Sequence, residues 1–252
     1  MGARMRFIGA VFFSLIVSSS PLQAAPTVVD LTIPGSSGQI NDAWFYQADP
    51  KPTGTGYIRS FVRLQTNDDI SQGYNTDGRP LQFDENESSE FTRSLRLADV
   101  PIVILGDAEY REFLLDINES NGGDKRLLSL DAIEIYLGGS GDLLDYPNLG
   151  TLIYDLDDGA DNWILLDYSL NPGSGGGDML AYIPNSLFNS EGEYVYLYSR
   201  FGENHANTAG FEEWAVRERE YEPPVVIPAP GAVLLAGLGS ILVGLLRGRL
   251  SL

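Results

Sequence analysis

The residues best placed to do chemistry are the acids in Tyr154-Asp155-Leu156-Asp157-Asp158-Gly159-Ala160-Asp161-Asn162. Asp155, Asp157, Asp158 and Asp161 put hard oxygen donors at close spacing around a turn glycine, which is the donor chemistry of a Ca²⁺ loop. A second series starts at Asp116 and offers oxygens at Asn118, Ser120 and Asp124. It departs from an EF-hand, whose sixth and twelfth positions need glycine and a bidentate carboxylate; here they are Asn121 and Leu127. The competing reading of both series is solvated turn acids in a very acidic chain. Ca²⁺ at Asp155–Asp161 is the only cofactor the spacing suggests.

Other chemistries lack parts. The chain has one histidine and no cysteine, so a tetrahedral His/Cys zinc site is excluded. His205 lies in Glu203-Asn204-His205-Ala206-Asn207, and no Gly-x-Ser-x-Gly elbow accompanies it; the expectation is a loop histidine rather than a triad base. The run Gly173-Ser174-Gly175-Gly176-Gly177 looks like a phosphate cradle but is followed by Asp178, not lysine, so a flexible hairpin loop is expected. With 35 acids, carboxylate pairs suited to glycoside hydrolysis are too easily found to argue for it. Trp44, Trp163 or Trp214 could stack on sugar rings, but a tryptophan in a sandwich is more often in the core or partly buried, and Trp214 is expected to pack inward. No catalytic site is assigned, and a non-enzyme is expected.

The elements that would position these residues read as strands. Apolar residues alternate with polar ones over Tyr57–Leu64, Phe91–Leu97, Leu130–Leu137 and Tyr194–Tyr198. Shorter runs predict strands over Val28–Ile33, Ala43–Gln47, Ile102–Leu105, Tyr110–Ile117, Leu152–Leu156, Ile164–Tyr168, Met179–Ile183 and Phe211–Val216. Gly- and Asn-rich turns separate them, and neither a three-turn amphipathic helix nor a fixed repeat interrupts the body. The expected fold is all-β, a single jelly-roll-like sandwich over residues 25–222.

Both ends are different in kind. Arg4 and Arg6 precede the apolar stretch Phe7–Val17 and an alanine-rich end, which predicts a secretory signal peptide over residues 1–24. At the other end, Pro228-Ala229-Pro230 precedes an apolar run from Gly231 to Leu246, and Arg247 and Arg249 follow. At 1.5 Å per residue that run makes a helix of about 24 Å, usable as a single transmembrane span once extended back to Val225, at about 33 Å. The arginines fit a cytoplasmic end. Of the sixteen Lys and Arg, each terminal segment holds two; the body keeps the other twelve against all thirty-five acids, a net charge of −23. That field repels nucleic acid, which is excluded as a partner.

The tail (residues 223–252) resembles the PEP-CTERM sorting domain: a Pro-Glu-Pro-like motif, a short apolar helix with small residues such as Gly237, Gly239 and Gly244, and a terminal arginine cluster. Ala229 stands where the name-giving glutamate would be. The body, with phrases such as YREFLLDINES and EYVYLYSRFG, is similar to that of uncharacterised PEP-CTERM proteins. The resemblance implies Pro228, Ala229, Pro230, Arg247 and Arg249 as sorting residues and an exosortase-like processing enzyme as partner. It also implies transient anchoring in the membrane through the C-terminal helix, then residence in the envelope or extracellular matrix of a Gram-negative bacterium. The expected role is structural or adhesive. A carbohydrate- or calcium-binding module associated with exopolysaccharide is the alternative, and a polysaccharide-active enzyme a third.

Overall fold

The computed structural model describes residues 24–48, 58–208, 210–217 and 226–227. The expected signal peptide, the helix over 231–246 and all five sorting residues lie outside them, save for Ala24 at the signal's end. Among the described residues no helix is long and apolar enough to cross a membrane.

The described chain is all-β, with fifteen strands and four single-turn 3₁₀ helices. The strands are β1 (Val28–Asp30), β2 (Ser37–Ile40), β3 (Ala43–Gln47), β4 (Ser60–Leu64) and β5 (Ser71–Tyr74). They continue with β6 (Leu95–Arg96), β7 (Ile102–Leu105), β8 (Ala108–Asp116), β9 (Leu127–Gly138) and β10 (Thr151–Asp155). The last five are β11 (Trp163–Asp167), β12 (Met179–Pro184), β13 (Tyr194–Phe201), β14 (Glu212–Ala215) and β15 (Val226–Ile227).

They form two sheets. In the first, β1, β11, β9, β13 and β5 follow in order, β10 shares an edge of β9 with β11, and β6 shares an edge of β13 with β5. In the second, β2, β3, β12 and β8 follow in order, and β8's far edge takes β7 and β14 in tandem. β4 lies beyond β14, and β15 runs parallel to β7.

The alternation seen in the sequence becomes the packing between these sheets. Ile133, Ile135 and Leu137 of β9 and Val195, Leu197 and Phe201 of β13 face inward from one sheet. Phe45, Phe61, Phe113, Met179, Ala181 and Ile183 meet them from the other, in one buried cluster. Trp214 is fully buried there as expected, and its indole N–H donates to Ser199 Oγ across the sandwich at 3.0 Å. Burial of such side chains is worth about 1.5–3 kcal/mol each, which lets a cysteine-free domain of this size hold its own core.

Four departures from the expected strands have local causes. β1 stops at Asp30 because its carboxylate caps the backbone N–H and hydroxyl of Thr32 at 2.9 and 2.7 Å. The strand expected over Phe91–Leu97 shrinks to Leu95–Arg96. Phe91 and Thr92 turn back on the Ser88 carbonyl, and Asp77 caps Ser94. The Phe91 ring instead lies 3.4 Å from the Arg63 guanidinium, which also meets the Phe211 ring at 4.2 Å and pairs with Glu213. β2 and β5 carried no sequence signal, since Ser-Gly-Gln-Ile and Ser-Gln-Gly-Tyr are poor strand formers. Neighbours impose them: Gly38 admits the Val29 side chain and Gly73 admits Glu85, each where a Cβ would come within 2.6 Å.

Between Leu130 and Ala132 the register of β9 against β13 slips by one residue. Asp131 is the extra residue of this bulge, re-aimed as bulged residues are, and both its oxygens accept from the segment 203–204. That segment begins at Gly202, whose φ is +98° and whose Cβ position lies 2.0 Å from the Asp69 carbonyl oxygen. Gly202→Ala is expected to destabilise the domain by about 2 kcal/mol or more, through a left-handed φ and a backbone clash together. A lowered urea midpoint at unchanged slope checks it.

Candidate functional site: an aromatic and acidic face of the first sheet

The sequence-derived candidates are mostly absorbed by the fold. In the loop after β10, Asp155 Oδ1 accepts the Asp157 N–H at 2.8 Å and Asp157 Oδ1 accepts the Asn162 N–H at 2.8 Å. Asn41 donates to the carbonyls of Asp155 and Leu156 at 2.9 and 3.0 Å. Burial pushes the Asp157 carboxyl up to about 6, and the charges of Asp155 and Asp161 add to this against the Asn162 amide. Asp158 and Asp161 are exposed. The four acids thus gather at the end of β10 and in the loop after it, with Asp155 and Asp157 serving as turn caps. Among the described residues no group of three or more His, Asp or Glu side chains is arranged to hold a metal ion.

The glycine run is not the flexible hairpin loop expected. It connects β11 in the first sheet to β12 in the second. The N–H groups of Gly175, Gly176 and Gly177 converge on the Asp116 carboxylate at 2.8, 3.0 and 2.7 Å. Positive φ at Gly175 (+81°) and Gly177 (+76°) turns the amides inward. The glycine amides thus form the nest that the sequence reading sets aside, and it holds a carboxylate of the chain itself. Asp178 reciprocates, accepting the Ile117 N–H at 2.8 Å.

His205 lies half-buried beside a serine and an aspartate, yet not as a triad. Ser129 Oγ donates to Asp131 Oδ2 at 2.8 Å and accepts the backbone N–H of His205 at 2.8 Å. The imidazole is turned away, tilted against Trp163 with 5.8 Å between ring centres. Trp44 is likewise half-buried, 6.1 Å from Tyr46 on the outer side of the second sheet.

What sequence reasoning missed is the outer face of the first sheet. With Val195 and Leu197 facing the core, Tyr194, Tyr196 and Tyr198 of β13 face outward. The register sets Tyr74, Tyr198, Glu134 and Asp155 in one row across β5, β13, β9 and β10. The next row pairs Tyr196 with Tyr136, and Tyr136 with Leu152. Tyr146, carried over the face by the loop between β9 and β10, stacks on Tyr198 with ring centres 4.2 Å apart and planes 19° from parallel. Phe83 closes edge-on at 5.7 Å.

The polar groups of this face follow one pattern. Glu134 is half-buried and accepts the phenol hydroxyls of Tyr146 (2.8 Å) and Tyr136. Gln72 accepts from Tyr198 at 2.8 Å, and Gln82 accepts from Tyr74 at 2.7 Å and from the Tyr146 N–H at 3.0 Å. Burial raises the Tyr74 and Tyr198 phenols to about 12, and lifts those of Tyr136 and Tyr146 further with Glu134's help. These hydroxyls therefore stay protonated donors at any physiological pH. Arg200, in the adjoining row, pairs with Glu203 at 2.5 Å. The alternation of tyrosines in Tyr194–Tyr198 was a legible signal, but the loop that delivers Tyr146 and the register that aligns Glu134 with Asp155 were not.

Compared with protein-family models, curated proteins and solved structures, the chain matches none.

Proposed function

We propose that this chain is an exported, non-enzymatic protein of the Gram-negative cell envelope or extracellular matrix. In this reading a jelly-roll-like sandwich plays a structural or adhesive role. The two terminal segments act as routing signals: the first directs export, and the Pro228-Ala229-Pro230 tail presents the protein to an exosortase-like enzyme while its apolar helix holds the membrane. The observation that carries the reading is the use the fold makes of its reactive side chains. Asp116 is bonded by glycine amides, Ser129 and Asp131 by the backbone of residues 203–205, and Glu212 by Ser71 and Asn207. Side chains so engaged stiffen the fold, which suits a self-supporting cargo.

Fractionation of the producing cells, with intact mass of the product, tests this. The expected product starts near Ala25, lacks the segment beyond the Pro-Ala-Pro motif, and sits outside the inner membrane. Recovery of a cytosolic chain retaining both Met1 and Leu252 would overturn it.

A further inference from the structure

A protein that adheres must present something adhesive, and the outer face of the first sheet is where ring surface and charge coincide. Tyr146 forms its outer layer, half-buried above the buried Tyr198, with the half-buried Phe83 and Tyr194 nearby. Flat rings of this kind cover the C–H faces of pyranose rings, while phenol, amide and carboxylate groups at their rim exchange hydrogen bonds with sugar hydroxyls. Gln72 and Gln82, whose carbonyl oxygens hold Tyr198 and Tyr74, supply amide N–H groups to that rim, and Glu134, which holds Tyr136 and Tyr146, supplies its charge.

Charge selects among sugars. Glu134 and Asp155 are direct cross-strand partners, an arrangement that is unfavourable for two carboxylates unless a positive group lies beside them. The cation in the adjoining row, Arg200, is bonded to Glu203, and its charge reaches Asp157 and Tyr198 rather than the Glu134–Asp155 pair. Asp158 and Asp161, both exposed, extend the same sign beyond the end of β10. An acidic polysaccharide would be repelled; a chain bearing ammonium groups would neutralise the row.

We propose that the face formed by Tyr146, Tyr198, Glu134 and Asp155 binds a polysaccharide of amino sugars carrying free amines. The proposal deepens the adhesive reading above by naming what is adhered to. The titration below and the fractionation can each fail without the other.

The test uses the hexamer of β-1,4-linked glucosamine as probe, with the N-acetylated hexamer beside it, titrated calorimetrically into the protein at a pH where the amines are protonated. The free-amine hexamer is expected to bind, and the acetylated one at least about tenfold more weakly. Glu134→Gln keeps the shape and removes the charge; Tyr146→Ala removes the outer ring. Each is expected to weaken binding about tenfold or more, the equivalent of one lost ring or charge contact. Asp107→Asn, on the turn between β7 and β8 of the other sheet, is expected to leave it unchanged. Melting temperature verifies that each variant is folded, and Glu134→Gln decides the matter should Tyr146→Ala fail to fold. Binding that survives Glu134→Gln intact, equal affinity for the acetylated hexamer, or no binding at millimolar probe would each overturn the proposal.

Discussion

Replacing Asp116 by alanine is expected to destabilise the domain by about 3–5 kcal/mol, a large share of the roughly 5–15 kcal/mol that holds a typical domain folded. The carboxylate is fully buried and accepts three glycine N–H groups, one on Oδ2 and two on Oδ1. Hydrogen bonds to an ionised acceptor are the stronger kind, about 1.5–3 kcal/mol each, and the donors left behind have no water to turn to. Asp116→Asn is the sharper variant. It keeps the volume and one carbonyl oxygen, but it directs an N–H₂ group at a nest built of N–H donors. A loss within about 1 kcal/mol of the alanine variant's is expected, because the requirement is for acceptors rather than for bulk. Urea unfolding at neutral pH measures both. If Asp116→Asn lowers stability by less than about 1 kcal/mol, the nest is not holding an ion. The same measurement reports on the link between the sheets, since the nested loop joins β11 to β12 and Asp116 ends β8.

Stability is expected to fall as the pH rises from about 5 to 8, and Glu212→Gln is expected to remove much of that fall. Glu212 is completely buried on β14, bonded to Ser71 Oγ at 2.9 Å and to the Asn207 amide at 3.2–3.3 Å. Burial lifts its carboxyl from 4.5 to about 8; the Ser71 hydroxyl opposes the shift and the charge of Glu119 adds to it. Below about 4.5 both the folded and unfolded chains hold the proton, and the group's contribution is fully present. Between 4.5 and 8 the unfolded chain releases it while the folded one keeps it, so stability declines by up to about 1.4 kcal/mol per pH unit. Above 8 both are ionised and the decline ends. Glu85 and Glu213 are also raised by burial and act in the same direction. The comparison with Glu212→Gln isolates the one group: near-equal stability at pH 5, and a variant more stable by a few kcal/mol at pH 8. Parallel pH profiles for the two proteins would show that Glu212 is ionised in the fold.

Much of the architecture was legible before any coordinates. Ala43–Gln47 and Ile102–Leu105 appear with the expected bounds, and β8, β10, β11, β12 and β14 lie within two residues of theirs at either end. These segments announce themselves because each buries one face, and period-two alternation is the imprint of that burial. Trp214 was legible for the same reason. Segments shaped by their neighbours were not. β5 exists because β13 offers it an edge, and Phe91 leaves its strand because Arg63 offers it a cation.

The chemistry divides along the same line. Composition alone settled the absence of disulfides and of a His/Cys zinc site, and the acidic charge of the chain, because those depend on counting. Which acids meet which partners was a tertiary decision. Asp116 and Gly176 are sixty residues apart, Glu212 and Ser71 further still, and Glu134 faces Asp155 only because β9 and β10 pair in one register. Spacing along a chain fixes what a strand can present on each face; only the packing of strands against one another fixes what that face will meet.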